Sequence, residues 1–100
     1  MPTYIGLLRY TSEGAKSIKE RWAQGNPNDR ARQAAKAMGC ELKAAYITMG
    51  RYDGVAIIEA PNDETMAKLA LATGMGGVWQ TETLRAFAES EIEKIVKELL

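Results

Sequence analysis

The first apolar segment predicts a β-strand with apolar side chains on both faces. Residues Thr3–Tyr10 are rich in the β-branched and aromatic types that favour strands. Side chains alternate along a strand. One predicted face carries Tyr4, Gly6, Leu8 and Tyr10, and the other carries Ile5, Leu7 and Arg9. Apolar positions on both sides indicate a strand inside a sheet, covered above and below.

Two helical segments follow this strand. Ser12 is expected to cap a helix that continues to Trp22. The Gly, Asn and Pro residues of Gln24–Asn28 interrupt the pattern, and Gly39 is expected to end a second helix in the left-handed conformation. The inward stripe of that second helix comprises Ala31, Ala34, Ala35 and Met38, at helical spacing.

The next pattern predicts a β-hairpin. Glu41–Met49 alternates weakly, which places Leu42, Ala44 and Tyr46 on one face. Gly50–Gly54 is the predicted loop, with a glycine at each end supplying positive φ. Val55–Ile58 is the most apolar run of the chain, and it predicts a central strand buried on both faces.

A helix, an edge strand and a terminal helix complete the chain. Asp63 is the expected cap of a helix that Gly74 ends, and Val78–Phe87 has the mixed polarity of an edge strand. Ser90 with Glu93 matches a capping box for a terminal helix over about residues 89–100. The inward positions of the first helix are Met66, Leu69, Ala70 and Thr73, and the terminal helix carries Ile92, Ile95, Val96 and Leu99 at helical spacing.

The element order predicts a single ferredoxin-like domain over residues 1–100. This α+β fold is a βαββαβ antiparallel sheet with helices on one face and an extra C-terminal helix. The other face then leaves large apolar side chains in water, at about 1.5–3 kcal/mol each relative to burial. A patch of this kind marks an interface, so we expect self-association into a dimer or higher oligomer. The alternative is that the terminal helix folds back over part of that face.

Composition narrows the classes of function. Lys plus Arg equals Asp plus Glu at 13 each, which argues against nucleic-acid binding. There is no histidine and one cysteine, which excludes His-dependent triads, Cys/His zinc sites and an internal disulfide. No metal or cofactor is expected. Without a long apolar run or a signal-peptide pattern, we expect a cytoplasmic protein that does not bind membranes.

Several sequence blocks carry a family resemblance. Gly50-Arg51-Tyr52-Asp53 lies between two apolar strands, and Glu59-Ala60-Pro61 and Thr81–Phe87 follow it. With the opening strand Tyr4–Tyr10, these blocks resemble the GYD-domain family. The resemblance implies a ferredoxin-like subunit that pairs as a dimeric α/β barrel around a cavity. Related barrels include cofactor-free oxygenases, lactone isomerases, haem-handling enzymes and amino-acid sensors, so the fold alone does not select a function.

The candidate ligand-binding residues form two groups. Tyr52 and Asp53, with Arg51, can grip an anionic or hydroxylated ligand, or Asp53 can bind loop N–H groups while Tyr52 packs on a neighbouring strand. Residues predicted to line a cavity from the strands are Arg9, Tyr46, Trp79 and Arg85, with Thr81 and Thr83 on the same face as Trp79. In the alternative interpretation, Arg85 pairs with Glu59 or Glu82, or reaches solvent.

Two functional hypotheses remain open from the sequence. The first is a homo-oligomeric small-molecule-binding or structural module. The second is a cofactor-free enzyme of the oxygenase or isomerase type acting on a small hydrophobic substrate, with Asp53 or Glu82 as general base. Haem or metal handling is disfavoured because imidazole ligands are missing.

Overall fold

The computed structural model describes residues 1–99. Its strands are β1 (Thr3–Tyr10), β2 (Glu41–Ile47), β3 (Gly54–Glu59) and β4 (Trp79–Ala86). Its helices are α1 (Ser12–Lys16), α2 (Ile18–Ala23), α3 (Pro27–Ala37), α4 (Asp63–Met75) and α5 (Glu89–Lys97). The strands form one antiparallel sheet in the order β2-β3-β1-β4, which confirms the predicted α+β architecture and the edge position of β4.

Strand β1 lies inside the sheet, between β3 and β4, with the predicted bounds. Directly opposed residues share a face, so Gly6 lies between Ala56 and Thr83 on one side of the sheet. Ile5 lies between Ile57 and Leu84 on the other side. This register defines two surfaces, the helix face, which carries Gly6, and the open face, which carries Ile5.

The buried core lies between the helices and the helix face. Helix α3 packs over β2 and α4 packs over β4. The core residues are Tyr4, Ala35, Cys40, Ala56, Ile58, Ala60, Met66 and Leu69. Val55 and Ile57, which point to the open face, are only half-buried. The prediction that β3 is buried on both faces is therefore wrong for a single chain, and its open side remains accessible.

The first helical segment begins and breaks at other residues than expected. Thr11, not Ser12, caps α1, because its Oγ1 accepts a hydrogen bond from the Gly14 N–H at 3.0 Å. The predicted helix to Trp22 is two short helices, α1 and α2, which meet at Ser17. The chain turns there because Ser17 takes φ −98° and ψ 7°, outside the helical region.

The cap of α4 also lies one residue earlier than predicted. Asn62 Oδ1 accepts the Thr65 N–H at 2.8 Å, whereas Asp63 is the first helical residue. The Asp63 carboxylate instead accepts the hydroxyl of the buried Tyr4. The hydrogen bond from Tyr4, which is distant in sequence, therefore occupies the Asp63 carboxylate that the local pattern predicted as the cap.

Helix α5 begins at Glu89, after Ala88. The Glu91 Oε1 accepts the Ala88 N–H at 3.1 Å, which is the glutamate half of a capping box. The predicted box of Ser90 with Glu93 is therefore wrong by two residues. The helix ends at Lys97, and the expected last residue, Leu100, lies outside the described residues.

A β-bulge changes the faces of β2. Leu42 opposes Ile58 and Ala44 opposes Ile57, so Lys43 is the extra residue between two partners on opposite faces. Leu42 therefore lies on the helix face, while Ala44 lies on the open face. The prediction that Leu42 and Ala44 share a face is wrong, because the bulge at Lys43 interrupts the alternation of side chains between the two faces.

The turn glycines were predicted with mixed success. Gly39 and Gly50 have φ of 80° and 102°, as expected for the end of α3 and the start of the hairpin loop. Gly54 is instead the first residue of β3 and has no positive φ. Helix α4 continues past Gly74 to Met75, and the chain reverses at Gly77, with φ 77°.

The molecule is elongated. Its radius of gyration is 15.1 Å and its longest dimension is 54 Å, whereas a compact chain of this length has a radius of about 13 Å. Among residues 1–99, no helix is long and apolar enough to cross a membrane.

Candidate functional site

The open face carries a continuous apolar surface that crosses all four strands. This surface, the apolar patch, comprises Ile5, Leu7, Ala44, Val55, Ile57 and Leu84. None of the six is fully buried, and Leu84 is 42% exposed. Tyr46 borders the patch, opposite Val55, and is 62% exposed. The sheet thus presents an apolar surface that the described part of the chain leaves accessible.

Helix α5 carries a second uncovered apolar surface. This surface, the apolar stripe, consists of Ile92, Ile95, Val96 and Leu99, which are 43%, 44%, 54% and 76% exposed. A helix packed on the sheet would bury such side chains. The alternative in which the terminal helix covers the open face is therefore wrong for this chain.

The Gly50–Asp53 loop is fastened to the end of β1 by Asp53. Its Oδ2 accepts the Tyr10 N–H at 2.9 Å, and its N–H donates to the Leu8 carbonyl at 2.8 Å. On the other side of the loop, the Thr48 N–H donates to the Asp53 carbonyl at 3.0 Å. Asp53 thus satisfies backbone groups, as its structural interpretation predicts, although the N–H that its carboxylate binds belongs to β1 rather than to the loop.

Replacing Asp53 by alanine should lower the free energy of unfolding by about 1–2 kcal/mol, because the Tyr10 N–H loses its acceptor. Urea unfolding monitored by circular dichroism measures the change. Asp29→Ala is the matched control: this carboxylate makes only an exposed pair with Arg32 at 3.3 Å, so it should cost less than about 0.5 kcal/mol. Equal losses in the two variants would contradict the role given to Asp53.

Tyr52 extends from the same loop towards β4. Its hydroxyl donates to Glu82 Oε2 at 2.7 Å, and this hydrogen bond raises the pKa of the Tyr52 phenol. The Arg9 guanidinium lies 5.8 Å from the centre of the Tyr52 ring, and Arg9 Nε donates to the Arg51 carbonyl at 3.1 Å. Three polar side chains, from β1, the loop and β4, therefore meet here, together with the Arg51 carbonyl.

These side chains line a polar depression of about 300 Å³, which we call the arginine pocket. Its lining residues are Leu7, Arg9, Arg51, Tyr52, Gln80, Thr81 and Glu82. Two guanidinium groups and one carboxylate give it both signs of charge. It begins where the apolar patch ends, since Leu7 belongs to both.

Of the other strand candidates, Trp79 and Arg85 lie on the helix face, whereas Tyr46 lies on the open face. Trp79 stacks on Tyr10 with ring centres 4.1 Å apart. With Thr81 and Thr83, Trp79 lines an apolar cleft of about 160 Å³ between α3, α4 and the helix face. The shared face of these three residues is confirmed. The structure does not bring Trp79 together with Arg9 or with Tyr46 in one site.

Arg85 has other partners than either carboxylate named in its alternative interpretation. Its guanidinium pairs with Glu91 of α5 at 3.5 Å and donates to the carbonyls of Thr3 and Ala86. It also lies 4.5 Å from the centre of the Phe87 ring. Glu59 is 4.0 Å from Lys43, and Glu82 binds Tyr52. Arg85 therefore anchors the start of α5 to the sheet.

Residues 1–99 contain no cluster of metal-binding side chains, and their one cysteine is buried. No group of three or more His, Cys, Asp or Glu side chains converges there to hold a metal ion. Cys40 is buried in the core, and burial raises the pKa of its thiol. This agrees with an apolar, unreactive role for Cys40.

Similarity to proteins of known structure supports the fold. The crystal structure of FFRP-DM1 has a TM-score of 0.54 at 18% identity, over 87% of this chain and all of that one. A protein from Thermus thermophilus gives 0.52 at 23% identity, over 88% and 95%. A hypothetical protein from Pyrococcus horikoshii gives 0.53 at 20% identity, over 89% and 93%.

Sequence similarity identifies the family. A curated relative, the glutamine synthetase and cystathionine beta-lyase binding protein of Thermus thermophilus, is 30% identical over 95 residues. The match covers 92% of this chain and 95% of the relative. The family model described as the GYD domain matches residues 4–96. The chain therefore belongs to the GYD-domain family.

Proposed function

We propose that this chain is a homo-oligomeric module that binds protein partners, among them metabolic enzymes. Two copies pair through the apolar patch as a dimeric α/β barrel, and each copy presents α5 to a partner. The curated relative is named for binding two enzymes, glutamine synthetase and cystathionine beta-lyase. Its match over nearly the whole of both chains supports a protein-binding role here.

The apolar patch supports pairing with a second copy. Burying apolar surface contributes about 25 cal/mol per Å², so half-buried side chains on four strands gain more from a matching surface than from water. A twofold pair places the same surface on both subunits and needs no second gene product. The open faces of two sheets then cover each other.

The main support for a protein partner is the apolar stripe of α5. All four of its side chains are at least 43% exposed, and the ion pair of Arg85 with Glu91 fixes the helix at its start. Amphipathic helices use residues at this spacing to anchor themselves in the groove of a partner. The exposed stripe is therefore suited to docking.

The charges of α5 define the rim of this contact. By helical spacing, the stripe is flanked by Glu89 and Glu93 on one side and by Glu91 and Glu98 on the other. Lys94 and Lys97 lie on the opposite side of the helix. We therefore expect a partner groove with an apolar floor and basic edges.

Binding to the two enzymes tests the function. The purified 100-residue chain is titrated by biolayer interferometry onto immobilised glutamine synthetase and cystathionine β-lyase from the chain's own source organism. Ile95→Glu should weaken binding by at least about tenfold, because it places a charge in the centre of the stripe. The matched control Lys94→Glu puts the same residue on the opposite side and should change affinity by less than about threefold.

Two outcomes would contradict the proposed function. One is no measurable binding of the unmodified chain to either enzyme. The other is equal weakening by Ile95→Glu and Lys94→Glu while circular dichroism shows that both variants keep their helix content. The rival hypothesis of a cofactor-free enzyme has less support, because Asp53 is engaged by the backbone N–H of Tyr10 and the curated relative is named for binding enzymes rather than for a reaction.

A further inference from the structure

The arginine pocket contains positive charge that the described part of the chain does not neutralise by ion pairing. Among residues 1–99, the ion pairs within 4.0 Å include neither Arg9 nor Arg51. Arg9 uses Nε on the Arg51 carbonyl, which leaves its two terminal amino groups free to bind another acceptor. Two guanidinium groups thus border one pocket, and neither forms an ion pair within 4.0 Å with its one carboxylate, Glu82.

Contacts within the pocket hold these groups in place. The ring of Tyr52 lies under the Arg9 guanidinium, and the Tyr52 hydroxyl is held by Glu82. The positive charges of Arg51 and Arg9 both lower the pKa of the Tyr52 phenol, against the stronger upward effect of Glu82. Both guanidinium groups are therefore within electrostatic reach of the same hydroxyl.

The GYD motif divides into two parts in this arrangement. Gly50, through its positive φ, and Asp53, through its bonds to β1, build the loop. Arg51 and Tyr52 point into the pocket that the loop creates. Gly50 and Asp53 therefore account for the shape of the loop, and the side chains of Arg51 and Tyr52 are available for binding a ligand.

We propose that the arginine pocket binds a small carboxylate that bears one negative charge and also carries an ammonium or hydroxyl group. Arg9 and Arg51 receive the carboxylate, for which the guanidinium fork is well matched. The free lone pairs of Glu82 accept the donor group of the same molecule. All of these groups belong to one chain, so a single subunit supplies the whole site.

Charge balance selects this class of ligand over phosphate or a dicarboxylate. With a hydroxy acid, the two guanidinium groups balance the Glu82 carboxylate and the ligand carboxylate. With an amino acid, the ammonium group pairs with Glu82 and the site keeps one positive charge. A second carboxylate on the ligand would face Glu82 without a further cation in the pocket to offset it. The volume of about 300 Å³ suits a molecule of amino-acid or hydroxy-acid size.

Titration of the ¹⁵N-labelled 100-residue chain, followed by NMR, tests the site. The probes are L-alanine, L-lactate, propionate and inorganic phosphate, each up to about 50 mM, because an open site of this kind should bind in the millimolar range. We expect saturable shifts for alanine and lactate at Gly50–Asp53 and at the Arg9 side-chain N–H. Propionate and phosphate should bind at least about tenfold more weakly.

Variants assign the binding to the two arginines. Arg51→Gln and Arg9→Gln should each weaken alanine binding by about tenfold or more. The matched control Arg32→Gln, on α3 and paired with Asp29, should leave it unchanged. The proposal is overturned if neither alanine nor lactate gives saturable shifts, if phosphate binds most tightly, or if both pocket variants bind alanine as the unmodified chain does.

Discussion

Replacing Gly14 by alanine should lower the free energy of unfolding by about 3 kcal/mol. Gly14 is buried in α1, where an added Cβ would overlap the Val78 carbonyl oxygen and come 3.0 Å from its carbonyl carbon. That oxygen also accepts the Thr11 N–H at 2.9 Å, so the clash falls on a backbone contact between α1 and the start of β4. Overpacking of this kind costs about 1–3 kcal/mol or more. The unfolding midpoint should fall by about 10–20 °C.

Gly74→Ala is the matched control for this prediction. Gly74 lies inside α4, has no positive φ and has nothing within 4 Å of its would-be Cβ. Alanine should raise the free energy of unfolding there by about 0.5–1 kcal/mol, because glycine costs more backbone entropy in a helix. Urea and thermal unfolding of both variants measure the difference. A loss in Gly14→Ala no larger than the change in Gly74→Ala would show that α1 and Val78 are not in close contact.

Leu84→Glu should raise the dissociation constant of the proposed dimer by at least about 100-fold. Leu84 lies on the apolar patch, on edge strand β4, and is 42% exposed. Pairing two open faces would bury the new carboxylate without a partner, at a cost of about 3 kcal/mol or more. The single subunit should lose little stability, because the side chain is already partly in water.

Leu71→Glu provides the control for the dimer. Leu71 is 70% exposed on α4, away from the open face, and receives the same charge. The dimer dissociation constant of the Leu71→Glu variant should stay within about threefold of that of the unmodified chain. Sedimentation velocity over a range of protein concentrations measures all three proteins. A dimer that tolerates Leu84→Glu but dissociates in Leu71→Glu would move the interface to the helix side.

Strands β1 and β3 could be predicted from their composition. The bounds of β1 were predicted correctly, and those of β3 within one residue at each end, since both segments combine apolar and β-branched residues. The bulge at Lys43 was not predictable, because an extra residue in β2 changes the pairing with β3 without changing the composition. The face of Leu42 depends on that pairing.

The helix starts show why local signals fail by one or two residues. Polar residues stand side by side at two of them, Thr11 with Ser12 and Asn62 with Asp63, and either member of each pair can cap. At the start of α4, a contact with a distant residue decides which of the two caps the helix, because the Tyr4 hydroxyl binds the Asp63 carboxylate. No pattern within the helix itself contains that information.

Individual residues of the candidate site were named from the sequence, but the contacts between them were not predicted. Arg9, Tyr52 and Asp53 were identified by residue type and by the hairpin motif. The meeting of Tyr52 with Glu82 depends on the register of β1 with β4, which places Glu82 opposite Leu7. Arg85 was predicted to have a carboxylate partner, yet Glu91 lies on a helix whose position the sequence does not determine.

Sedimentation equilibrium of the unmodified chain is the most direct test of the central claim, that this fold leaves apolar surfaces for a second copy to cover. The account predicts a mass of twice 11.0 kDa at micromolar concentration, falling towards 11.0 kDa on dilution or in Leu84→Glu. A mass of 11.0 kDa at every concentration would contradict it.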